Sequence, residues 1–68
     1  MREIIKKEMK LQRYNCSSLA KDSNLSRHNV LKIVKDLREA RVSEAIAISK
    51  TLNLKVNSLE DLKDIFLS

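Results

Sequence analysis

The chain is predicted to fold as an all-α domain, and three observations lead there. Neither glycine nor proline occurs among its 68 residues, so the residues that most readily make tight hairpin turns are missing. No segment alternates polar and β-branched apolar residues between turn dipeptides, the pattern that a half-buried strand requires. Apolar residues recur instead at intervals of three and four, the spacing that lines one face of a helix. Without glycine the breaks between helices have to be made by Asn, Asp and Ser, and these cluster at residues 15–18, 22–26 and 53–58.

The spacing predicts a first helix over residues 2–11, with Ile4, Ile5 and Met9 inward, Lys6, Lys7 and Lys10 outward, and Leu11 and Tyr14 closing it over the core. Asn15 is placed to cap a second helix over residues 16–22, whose Leu19 and Ala20 face inward. Asn24 is suited to the left-handed conformation that ends this helix, and Ser26 to the N-cap of the next. That third helix is expected over residues 26–37, with Val30, Ile33, Val34 and Leu37 as its buried stripe. A fourth is expected over residues 42–52, with Val42, Ala45, Ile46, Ile48, Ser49 and Leu52 inward; the sequence DLREAR before it is itself helix-compatible and leaves the break open by a few residues. The fifth begins at Asn57 or Ser58, since both Asn57 with Glu60 and Ser58 with Asp61 have capping-box spacing, and Leu59, Leu62, Ile65 and Phe66 make its stripe. Five short helices with brief connections make a compact bundle.

Length and composition bound the function. Sixty-eight residues make one domain, residues 1–68, with a modest core and a few kcal/mol of net stability at most. Fourteen Lys and Arg against nine Asp and Glu give a formal charge of +5, which suits a polyanionic partner. The charge is uneven: five basic and two acidic residues fall in 1–14, six and three in 15–41, and three and four in 42–68. A single cysteine, Cys16, excludes an internal disulfide, and one histidine leaves no protein-built zinc site. With no converging nucleophile, base or phosphate loop, neither catalysis nor a cofactor nor a small-molecule substrate is expected. No apolar run is long enough to span a bilayer and the N-terminal MREIIKKEMK has no secretion-signal core, so a cytoplasmic protein is expected.

The stretch from Asn15 to Leu37 organises the rest. Two apolar stripes face each other across a short polar turn, a helix-turn-helix. On an ideal helix with Val30 at zero, Lys35 lies near ~140°, His28 near ~160° and Lys32 near ~200°, opposite the buried stripe. A helix packed on one side and carrying donors on the other suits the major groove of DNA. Arg27 and His28 in its first turn and Lys32 further along are placed to read base edges, and Leu31, near ~100°, to touch a thymine methyl. Ser26, Lys35 and Lys10 are placed for phosphate.

These residues resemble the lambda-repressor-like, Cro-type helix-turn-helix family of phage and bacterial regulators. Ala20 matches the family's small residue in the second helix, Asn24 its turn glycine, Leu25 the following hydrophobe, Ser26 the residue that opens the recognition helix, and Val30 and Ile33 its two buried aliphatics. AIAISKTLNL is similar to the family's fourth helix and VNSLEDL to its fifth, so the likeness covers nearly the whole chain. Departures are Cys16 in place of a phosphate-contacting glutamine, and Asp36 and Ala40 in place of a glycine and a proline. The resemblance implies a transcriptional regulator, commonly a homodimer on a partly palindromic operator, with double-stranded DNA as partner. A dimer contact is expected on Leu59, Leu62, Ile65 and Phe66, with Leu67, because this last segment is the least basic and ends in Ile-Phe-Leu. A competing assignment gives Leu62 and Phe66 to the monomer core, and the dimer then forms only on DNA. The main rival function is a protein-interaction module, such as an anti-repressor or antitoxin, on the same helical fold. A membrane-surface role for the first helix is weakened by Glu3 and Glu8.

Overall fold

The computed structural model describes residues 3–66, which form α1 (Glu3–Leu11), α2 (Cys16–Ser23), α3 (Arg27–Val34), α4 (Val42–Thr51) and α5 (Leu59–Phe66). No strand occurs among the described residues. Arg2, expected in the first helix, and Leu67, expected in the dimer stripe, lie outside them. The radius of gyration, 10.5 Å, is close to the ~11 Å expected of a compact chain of this length.

The first four helices all leave by the same device. Arg13, Asn24, Asp36 and Asn53 adopt φ of 60°, 60°, 59° and 56°, and the N–H of the next residue donates to the carbonyl five positions back. These bonds run from Tyr14 to Met9 (2.7 Å) and from Leu25 to Ala20, Leu37 to Lys32 and Leu54 to Ser49 (each 2.9 Å). This is the Schellman arrangement, in which a left-handed residue turns the chain off the helix axis and satisfies a terminal carbonyl. Glycine is its usual occupant; the left-handed conformation costs other residues roughly 1–2 kcal/mol, least for Asn and Asp. A chain without glycine therefore stops three of four helices with Asn or Asp.

The same device corrects the third helix. It ends at Val34 rather than Leu37: Asp36 takes the left-handed turn, and Leu37 leaves the stripe and stands 69% exposed. Asp36–Leu37 repeats the Asn24–Leu25 and Asn53–Leu54 pairs, a signal present in the sequence.

One core joins all five helices. Ile5 and Met9 of α1, Leu19 and Ala20 of α2, Val30, Ile33 and Val34 of α3, Ala45 and Ile48 of α4 with Leu52 just beyond it, and Leu62, Ile65 and Phe66 of α5 are buried together. α2 packs on both α3 and α4, and α4 on α5. Tyr14 is half-buried against this core, whereas Ile4, Leu11, Val42, Ile46 and Leu59, all expected inward or on the stripe, are exposed. Helices of eight to ten residues bury only a narrow strip, so apolar residues at its margins stay in water. Ser49 is buried at 3% exposure, but its hydroxyl has no hydrogen-bond partner. Ser49→Ala is accordingly expected to leave stability unchanged or raise it by up to about 1 kcal/mol, read from denaturant midpoints; a loss of that size would show that the hydroxyl is paired.

Candidate nucleic-acid interface

The site is built from α2, the turn over residues 24–26, and α3. Asn15 caps α2 reciprocally: its side chain accepts from the Ser18 N–H at 2.8 Å, and Ser18 Oγ accepts from the Asn15 N–H at 3.0 Å. After the left-handed Asn24, Leu25 turns back against the core, and Ser26 caps α3 by accepting from the Asn29 N–H at 3.1 Å. That bond uses the Ser26 hydroxyl as an acceptor and leaves its donor capacity unspent. α3 is two turns long, about 12 Å, and its inner residues Val30 and Ile33 are fully buried.

The outer face carries the expected readers. Arg27 and His28 are exposed in the first turn, Leu31 and Lys32 are half-buried on the flank, and Lys35, just past the last turn, is exposed. Ser26 is exposed at the mouth of the helix, and Lys10 is exposed on α1. Among the described residues Arg27 is the one base reader with a side-chain hydrogen bond: its Nε–H donates to Ser17 Oγ at 2.8 Å. On an ideal helix Arg27 lies ~60° from Val30, at the margin facing α2, which brings it within reach of Ser17. Sequence reasoning did not single out Ser17, because a pair ten residues apart emerges only once α2 and α3 are packed.

The residues between α3 and α4 are fixed by a second cluster that the sequence did not disclose. The Arg38 guanidinium grips Glu44 at both oxygens, Nη1 to Oε1 at 3.0 Å and Nη2 to Oε2 at 2.6 Å, and Nη1 also donates to the Glu39 carbonyl at 2.8 Å. Glu44 in turn accepts from the Arg41 N–H at 2.9 Å, capping the start of α4. The Arg38 hydrogen bonds hold the Glu44 carboxyl below its ordinary value; burial pushes the other way, and the Arg41 N–H reinforces the lowering. A carboxylate with a lower pKa in the folded state contributes its full stabilisation above the unfolded value of about 4.3 and loses it as pH falls toward the folded value. Glu44→Gln is therefore expected to lower stability at neutral pH and to make its decline below about pH 4.3 shallower. Urea titrations across that range read both effects; an acid decline as steep as that of the unaltered protein would assign it to other groups.

Two further bonds brace the frame around the site. The Tyr14 hydroxyl donates to Asp22 at 2.7 Å across the α1–α2 turn, an interaction that raises the Tyr14 pKa. Gln12 Nε2 donates to the Leu52 carbonyl at 2.8 Å, tying the end of α1 to the exit of α4.

The expected dimer stripe is divided. Leu62, Ile65 and Phe66 belong to the core of a single chain, and of the described stripe residues only Leu59 is exposed, at 60%. Leu59 borders a largely apolar groove of about 310 Å³, lined also by Ile46, Ser49, Leu54 and Val56.

No group of three or more potential metal ligands occurs among the described residues, and no helix there is long and apolar enough to cross a membrane. Comparisons with family models, curated proteins and solved structures find no match to this chain.

Proposed function

We infer that this protein is a sequence-specific, double-stranded DNA-binding transcriptional regulator of the lambda-repressor-like, Cro type, acting in the cytoplasm by seating α3 in the major groove of an operator. The observation that carries this reading is the pairing of α2 and α3 through a fully buried inner face while Arg27, His28 and Lys35 stand exposed on the outer one, with Lys32 half-buried on its flank. First-turn residues Arg27 and His28, with Leu31 and Lys32 behind them, address base edges. Ser26, Lys35 and Lys10 address phosphate, which positions the helix without selecting sequence.

A helix of two turns reads only a few base pairs, so useful specificity comes from two copies on one face of the duplex, about 34 Å apart. Burial of Leu62, Ile65 and Phe66 within one chain supports the assignment in which the two copies meet on DNA rather than through that stripe. The rival reading, a protein-interaction module, draws its support from the exposed Ile46 and Leu59 beside the α4–α5 groove. Selection of duplexes from a random pool by the purified protein separates the two. Recovery of two related half-sites is the expected result; no enrichment over the starting pool would favour the protein partner.

A further inference from the structure

We propose that Ser17 positions Arg27 to recognise guanine, so that each half-site carries a G·C pair opposite the first turn of α3. This rests on the DNA-binding reading above and adds to it the identity of one base and the residue that enforces it.

The guanidinium of Arg27 gives its Nε–H to Ser17 Oγ at 2.8 Å, and its Nη1 and Nη2 make no bond with another described residue. An arginine held through Nε has its plane fixed and presents its end edge, two parallel N–H donors side by side. In the major groove only guanine offers two adjacent acceptors, N7 and O6. Adenine pairs an acceptor with a donor, thymine has a single acceptor beside a methyl group, and cytosine presents a donor. The end edge of a fixed Arg27 therefore matches guanine and mismatches the other three bases. Ser17 is itself anchored: it sits in the first turn of α2, directly after the Asn15–Ser18 cap and two residues before the buried Leu19. The hydroxyl is consequently held by the same helix that packs against α3, and the pair moves as part of the α2–α3 unit. An arginine without such a brace samples many rotamers and loses more freedom on binding.

The test uses a duplex recovered by selection and three proteins: unaltered, Ser17→Ala and Ser17→Thr. Affinity is titrated for the selected site and for copies in which the assigned guanine is replaced by adenine or by 7-deazaguanine, which removes only the N7 acceptor. The unaltered protein is expected to lose about 5- to 150-fold on guanine-to-adenine replacement, with a smaller loss on 7-deazaguanine. Ser17→Ala is expected to shrink both losses several-fold while keeping the same dependence on salt, and Ser17→Thr, which retains the hydroxyl, to restore them. Arg27→Ala should abolish the discrimination altogether. Selected half-sites without a common guanine, or equal discrimination by Ser17→Ala and the unaltered protein, would overturn the inference while leaving DNA binding intact. Failure of the unaltered protein to bind any duplex would instead overturn the reading on which it rests.

Discussion

Phe66→Ala is expected to leave most of the population unfolded at room temperature. Phe66 is the largest of the fully enclosed side chains, 2% exposed, and it closes the core from the end of α5. Truncating a buried phenylalanine costs about 3–5 kcal/mol, which is as much as the net stability a domain of this size commonly possesses. Ile65→Asp, which puts a charge into the same cluster, should act in the same direction. Leu59→Ala, one turn or more away and exposed, should stay within about 0.5 kcal/mol. Far-UV circular dichroism with urea titration measures all three. A folded, native-like Phe66→Ala variant with altered sedimentation would return the stripe to a dimer interface and contradict its place in the core.

Ile33→Ala should cost about 2–4 kcal/mol, since Ile33 is fully buried where α3 meets the core and its removal leaves a cavity there. Its neighbour supplies the control: Lys32→Ala, on the flank of the same helix, should change stability by no more than about 0.5 kcal/mol while weakening DNA binding. The pair separates a residue that builds the helix face from one that uses it. Comparable stability losses from the two, measured by denaturant titration, would mean that the inner and outer faces of α3 are misassigned.

Much of this architecture is legible in the amino-acid order. The five helices, the caps at Asn15 and Ser26 and the left-handed exit at Asn24 follow from local chemistry that acts within four or five residues, and they appear as expected. Ile5, Leu19, Ala20, Val30, Ile33, Ile48 and Leu52 are buried because each lies at the centre of its stripe. Residues at stripe margins are another matter. Ile4, Val42, Ile46 and Leu59 have the right periodicity, but burial at a margin depends on what a neighbouring helix covers, and periodicity within one helix carries no information about that. Leu37 departs from its stripe for a different reason: the left-handed turn at Asp36 ends the helical phase that the spacing of Val30, Ile33 and Val34 implies.

The candidate site divides along the same line. Exposure of Arg27, His28 and Lys35 follows from their angle on α3, whereas the Ser17–Arg27 and Arg38–Glu44 bonds join residues on different turns or elements. Nothing in the spacing of Ser17 and Arg27 marks them as partners until the turn at Asn24 has brought α2 and α3 together. Arg38 and Glu44 are likewise brought within reach by the turn at Asp36, and together they fix that connection.

The central claim is that the outer face of α3 meets a DNA duplex, and the most direct measurement is the affinity of the purified protein for a duplex of mixed sequence as salt is varied. Each phosphate neutralised contributes about −0.9 to the slope of log affinity against log salt, so about four contacts would weaken binding on the order of 100-fold for a fourfold rise in salt. The unaltered protein is expected to show such a slope, and Lys35→Ala a slope shallower by about one unit with the fold retained. No detectable binding at the lowest salt, from a protein shown to be folded in the same buffer, would contradict it.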